Sequence, residues 1–189
     1  MQEMHYFGEL GLETGSNYST DPVKVDNNSW NKVSLKYRHT CGLRADNTVW
    51  CWGYNDGYRL GDPNVTAEYV FTPVKVINSE VPGSVWLDLS VGHLHTCAKL
   101  NDGSLWCWGS DGGGKLGADY SGPILCATPV EVVDEVPAVS WTSFTSGEEN
   151  TCALKEDYSL WCWGGNELGE CAQDLEDGTK FEHPVEVIY

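Results

Sequence analysis

Cysteine and histidine carry most of the potential chemistry in this 189-residue chain, which contains eight cysteines and five histidines. Thiolate beside imidazole is zinc chemistry, and His39-Thr40-Cys41 and His95-Thr96-Cys97 set the two residue types two positions apart. No Cys-x-x-Cys or His-x-x-x-His spacing accompanies them, so the histidines read as structural and no metal is expected. Oxygen ligands gather in Asn55-Asp56-Gly57, Asp111 to Gly114 and Asn166-Glu167. Calcium chemistry would need an EF-hand or nonapeptide spacing, which is missing, and the same residues suit ordinary turns. The pairs Trp50/Trp52, Trp106/Trp108 and Trp161/Trp163 offer either an aromatic platform for a sugar or the filling between packed layers, and the layered reading is favoured. No nucleophile elbow, P-loop, dinucleotide fingerprint or zinc-protease motif occurs, so the expectation is a non-enzymatic protein without a cofactor.

The elements that position these residues are repeated. Trp30, Trp86 and Trp141 lie about 55 residues apart, and each leads into a Thr-Cys step. The blocks Cys41 to Gly53, Cys97 to Gly109 and Cys152 to Gly164 all end in Trp-Cys-Trp-Gly. A Leu-Gly pair follows each block (Leu60-Gly61, Leu116-Gly117, Leu168-Gly169), and each unit closes on Pro-Val-x-Val at Pro73, Pro129 and Pro184. Residues 8–25 are the second half of such a unit and end on a lone strand from Pro22 to Val25. The repeats divide the chain into 1–26, 27–76, 77–133 and 134–189.

Each unit reads as four short antiparallel strands, the Pro-Val-x-Val strand beginning at its proline, which gives an all-β fold. The second and third strands form a hairpin across Asn101-Asp102-Gly103, suited to a type I turn with a left-handed glycine. Asn47 tolerates that conformation, whereas Tyr158 fits it poorly. A three-residue loop sets Leu100 opposite Ser104 and therefore Cys97 opposite Cys107. The same registration pairs Cys41 with Cys51 and Cys152 with Cys162, at a separation a disulfide can bridge. Side chains alternate along a strand, so Trp106 and Trp108 share one face and Cys107 takes the other. Both faces are apolar, and each sheet needs a neighbour on either side. Cys126 and Cys171 sit in the variable loops. They are expected to bond to each other across neighbouring units, the other reading being partners outside this segment.

Twenty-eight acidic residues against 11 basic ones give a formal charge of −17, which repels phosphate backbones and anionic lipid, so neither nucleic acid nor a membrane surface is an expected partner. The excess forms no long block and reads as a solvated surface. No apolar run is long enough to span a bilayer. The first residues lack the pattern of a signal peptide, which leaves a mature end, an engineered start or an internal piece of a longer chain. Paired cysteines point to an oxidising compartment, secreted or on the extracellular surface, and Asn17, Asn27 and Asn64 begin possible glycosylation sequons.

These motifs resemble the RCC1-type repeat, named after the regulator of chromosome condensation: a Trp strand running into His-Thr, then an Asp-Gly hairpin ending in Trp-Gly, then Leu-Gly, then Pro-x-x-Val. The resemblance covers residues 8–188 and implies β-propeller blades of four strands, usually seven to a ring. Three and a half units therefore make an incomplete ring or an open array. Lys36 stands where the family has Gly, Asn150 where it has His, and the loop before each proline carries insertions. The family's nucleotide exchange on a small GTPase does not transfer, because no matching loop is visible. The cysteines look like those of secreted RCC1-like proteins, for which binding or scaffolding is expected.

The expected function is an extracellular structural or interaction module that self-assembles through blade edges into a ring or filament. Its partners would be other copies of itself or another protein, as a homo-oligomer or as part of a longer chain. One alternative is a binding protein whose loops 62–72, 118–128 and 170–183 grip a partner enzyme or small GTPase. A second is a sugar-binding lectin.

Overall fold

The structure, a computed structural model, describes residues 7–12, 19, 21–78, 80–83, 85–119, 124–133, 139–172 and 180–188. It contains three four-stranded antiparallel sheets in which consecutive strands are neighbours. The first holds β1 (Trp30–Lys36), β2 (His39–Arg44), β3 (Val49–Tyr54) and β4 (Tyr69–Lys75). The second holds β5 (Trp86–Val91), β6 (His95–Leu100), β7 (Leu105–Ser110) and β8 (Leu125–Glu131). The third holds β9 (Trp141–Ser146), β10 (Asn150–Lys155), β11 (Leu160–Gly165) and β12 (Lys180–Glu186). Each sheet is a blade. Adjacent blades touch closely at their first strands, where Val91 N–H donates to Ser34 Oγ at 3.0 Å and Ser146 N–H to Ser90 Oγ at 2.9 Å.

Hairpin chemistry recurs at every β2–β3-type turn. Asp102 Oδ1 accepts from both the backbone N–H and the hydroxyl of Ser104, and Ser104 Oγ accepts from Trp106 Nε1 at 2.9 Å. Asp46-Thr48-Trp50 and Asp157-Ser159-Trp161 repeat the arrangement. These short side-chain bonds give the turn an alternative to solvent and lock the position of the first hairpin tryptophan. The hydroxyl and backbone donors hold all three carboxyls below their usual pKa. The residue beginning the left-handed step is Asn47 (φ 62°), Gly103 (φ 89°) or Tyr158 (φ 69°). Tyr158 fits this step poorly, yet the third turn forms, with Lys155 N–H bonded to Ser159 O and the Tyr158 ring 90% exposed.

The fourth strand differs from expectation. It begins at Tyr69, Leu125 or Lys180, so that Pro73, Pro129 and Pro184 lie inside it. This strand is the outer edge of each sheet, where one side of the backbone needs no partner. The Pro22–Val25 segment forms no strand, since the described residues contain no third strand of its own blade to pair with it.

The core lies between blades. Cys41, Leu43, Val49 and Cys51 of the first sheet pack with Trp86, Leu89, Trp106 and Trp108 of the second. Cys97, Leu105 and Cys107 of the second pack in turn with Trp141, Ala153 and Trp163 of the third. One face of each sheet thus presents its cystine and the other its tryptophans, as strand alternation requires. The indoles of Trp108 and Trp163 are fully buried and those of Trp52 and Trp106 nearly so, whereas Trp50 and Trp161 are half-buried.

Candidate functional site

Each blade is coupled to the next through one recurring polar node. The carbonyl oxygen of Arg59 accepts from Trp108 Nε1 at 3.0 Å and from Thr96 Oγ1 at 3.2 Å. The carbonyl oxygen of Lys115 accepts from Trp163 Nε1 and Thr151 Oγ1, both at 3.0 Å. A hydroxyl has one proton, and here it goes to the carbonyl. Thr96 Oγ1 must then accept from His39 Nε2 at 3.1 Å, and Thr151 Oγ1 from His95 Nε2 at 2.9 Å. Each ring therefore carries a proton on Nε2, and its buried Nδ1 has no hydrogen-bond partner that would favour a second one. Burial, reinforced by nearby cations, pushes the His39 pKa well below its ordinary value and that of His95 down to about 3.

The node needs glycine. A Cβ on Gly61 would stand 2.8 Å from Trp108 Nε1, and one on Gly117 only 2.6 Å from Trp163 Nε1. The half unit at the N-terminal side uses the same device: Glu9 O accepts from Trp52 Nε1 at 2.8 Å and Thr40 Oγ1 at 3.1 Å, and Gly11 lies against the Trp52 ring.

The third blade departs from this plan. In sequence Leu168-Gly169 follows Trp-Cys-Trp-Gly as the other Leu-Gly pairs do, but the structure places Cys171-Ala172 in their role. Leu60 N–H donates to Asn55 Oδ1, Leu116 N–H to Asp111 Oδ1 and Cys171 N–H to Asn166 Oδ1. Gly61 N–H bonds Tyr58 O, Gly117 N–H bonds Gly114 O, and Ala172 N–H bonds Gly169 O. Leu168 is accordingly 90% exposed while Cys171 is buried. Two coupling groups are lost together: Ala172 (φ 51°) replaces the glycine, and Asn150 replaces the bridging histidine. The oxygen-bearing turns at Asn55, Asp111 and Asn166 spend these side-chain oxygens on the backbone donors. Among the described residues no three His, Cys, Asp or Glu side chains form a metal-sized group.

The cysteines divide into two kinds. Cys41–Cys51, Cys97–Cys107 and Cys152–Cys162 are disulfides between directly opposed residues with Cα atoms 4.1 Å apart. Arg44 N–H bonds Thr48 O, so counting back three puts Cys41 and Cys51 at one of the closely spaced, non-hydrogen-bonded pairs. The Cys126–Cys171 bond expected from sequence is absent; both are buried thiols. The third sheet separates them. Cys126, opposite Gly109, packs with Leu105, Cys107 and Trp163, whereas Cys171 packs with Cys162 and Val187 on the far face. Burial pushes the Cys171 thiol up to about 11.

A position that the sequence did not flag lies three residues after the first cystine half. Arg44 stacks on Trp50 (3.6 Å to the ring centre) and Trp30 (4.9 Å), and Lys155 lies over Trp161 and Trp141 at 4.4 and 4.8 Å. Leu100 fills the equivalent place in the middle blade and is 1% exposed. Cation–π contact substitutes there for an apolar side chain. The signal was a cation in an otherwise apolar strand, visible in two units and broken by the third.

The outer faces are unequal. Val33 and Leu35 occupy in β1 the register places that Leu89 and Val91 hold in β5, opposite Gly42 and Thr40 as those are opposite Ala98 and Thr96. Leu89 and Val91 are 0% and 3% exposed; Val33 and Leu35 are 58% and 69% exposed. Of the sequon asparagines, Asn27 and Asn64 are exposed, and Asn17 lies outside the described residues.

Two profiles for the Regulator of chromosome condensation (RCC1) repeat match, one at residues 30–58 and 86–114 and one at 46–98. Human E3 ubiquitin-protein ligase HERC2 is 26% identical over 156 residues, which is 79% of this chain and 3% of that protein. Yeast RCC1 (Prp20), solved bound to Kap60, superposes with a TM-score of 0.81 at 19% identity over 98% of this chain and 43% of that one. Human WBSCR16 gives 0.81 at 19% identity, over 96% and 46%. The chain spans less than half the length of each of these relatives.

Proposed function

On the premise that this chain carries RCC1-type repeats built into propeller blades, we propose that it is an extracellular, non-catalytic protein-interaction module that self-associates through the inner part of its first blade. The exposure of Val33 and Leu35 carries the reading. The same places in the next blade are buried by a neighbouring sheet, and leaving two such side chains in water costs about 1.5–3 kcal/mol each relative to covering them. Three cystines support an oxidising setting. His39, His95, Trp108 and Trp163 are committed to coupling the blades and Asn55 to its own turn, which supports a role without catalysis.

Both ends of the array disfavour a head-to-tail filament. The first blade's node is occupied by Glu9 and Gly11, and the third blade offers Ala172 where a following tryptophan would require glycine. Association through β1 of two copies instead gives a closed pair. Light scattering across a concentration series tests this: a dimer is expected, and Leu35→Asp is expected to return it to monomer. A wild-type protein monomeric throughout the series would refute it.

A further inference from the structure

The third blade carries an open face of a different character. Its cystine face has Leu154 at 37% exposed, whereas Leu43 at the same place in the first blade is 3% exposed. Beside it Leu160 and Cys152 are half-buried, against fully buried Leu105 and Cys97 in the second blade. An RCC1-type blade cannot cover this face as the first covers the second, because Ala172 obstructs the indole site and Asn150 replaces the bridging histidine.

Charge indicates what can. Residues 134–189 hold 13 of the 28 acidic residues and only two of the 11 basic ones, a net −11 of the chain's −17. Residues 1–76 hold nine acidic and seven basic residues, a net −2. The acidity that looks dispersed along the sequence is therefore concentrated in the segment that contains the third blade. Glu156, at the hairpin end of that blade, and Glu167 and Glu170, in the loop after β11, are all exposed. Carboxylates thus lie beyond both ends of the strand pair that carries Leu154 and Leu160.

We infer that the cystine face of the third blade docks a basic amphipathic polypeptide segment, whose apolar side covers Leu154 and Leu160 while its Lys and Arg side chains reach Glu156, Glu167 and Glu170. Electrostatic complementarity sets the approach and register of such a segment, and the two leucines supply the desolvated contact. A second copy of this chain is a poor occupant, because a like face would bring two acidic segments together.

The probe is a short amphipathic Lys/Leu peptide, titrated into the intact protein at physiological ionic strength, with a Glu/Leu peptide of the same pattern as control. The combined variant Glu156→Lys, Glu167→Lys, Glu170→Lys should weaken Lys/Leu binding by about tenfold or more. A charge-matched variant elsewhere, Asp21→Lys, Glu68→Lys, Glu80→Lys, should change it less than about twofold. Leu154→Asp, at an exposed position, should also weaken it while the thermal midpoint holds. Equal losses in the two charge-reversed proteins would mean binding to overall charge alone and would overturn the inference. So would unchanged affinity in Leu154→Asp, or a self-associated species that Leu154→Asp dissociates while Leu35→Asp does not.

Discussion

The indole N–H of Trp108 donates across a blade boundary to the carbonyl oxygen of Arg59 at 3.0 Å, and Gly61 lies so close to that nitrogen that no side chain fits between. Gly61→Ala combines this overlap with a left-handed backbone (φ 73°) and is expected to cost about 2–4 kcal/mol. Trp108→Phe loses the donor and puts a smaller ring in a fully buried site, while Arg59 O retains Thr96, so about 2–3 kcal/mol is expected. Urea midpoints of the two variants rank them. A Gly61→Ala protein as stable as the parent would remove the node from the account of blade coupling.

The two bridging histidines make stability fall with acid. Each is neutral when folded, with its pKa depressed by burial, and has an ordinary value near 6.5 when unfolded. Between those values the unfolded chain binds more protons, so stability rises with pH. The contribution is intact above about 6.5 and is lost progressively as pH falls toward the folded value, about 3 for His95. His95→Asn, which copies residue 150, should lower stability at neutral pH and flatten the decline between pH 6.5 and 4. A parallel decline in parent and variant would show that His95 does not contribute.

The placement of the third loop predicts unequal effects for two residues three positions apart. Cys171→Asp puts a carboxylate beside Cys162 and Val187 and should cost about 3 kcal/mol or more. Leu168→Asp changes an exposed residue and should stay within about 0.5 kcal/mol. Maleimide labelling offers an independent reading, since the Cys171 thiol should react only on unfolding. The opposite order of stabilities would restore Leu168-Gly169 to the Leu-Gly role.

Tyr158 holds a left-handed conformation with its ring in solvent, so the backbone is strained with no packing in return. Tyr158→Gly should stabilise the protein by about 1 kcal/mol, and Tyr158→Val should destabilise it. Thermal unfolding of the pair distinguishes strain from an unrecognised contact: a destabilised Tyr158→Gly would indicate the contact.

What the sequence determined by itself was local. A three-residue turn and the two-residue period of a strand are enough to place Cys97 opposite Cys107 and to put Trp106 and Trp108 on the other face, because both follow from backbone geometry within a dozen residues. The recurrence of the unit, and the need of each sheet for neighbours, follow from the same alternation. What only the tertiary structure decided depends on the space between blades. Leu168 and Cys171 are both credible fillers of the third blade. Cys171 takes the place because its N–H reaches Asn166 Oδ1 in the same five-residue span that joins Leu60 to Asn55. The separation of Cys126 from Cys171 has the same origin, since a sheet two side chains thick stands between their pockets. Coupling between blades and the difference between their outer faces rest on contacts some 50 residues apart, such as Trp108 to Arg59, and no local period encodes which side chains meet there.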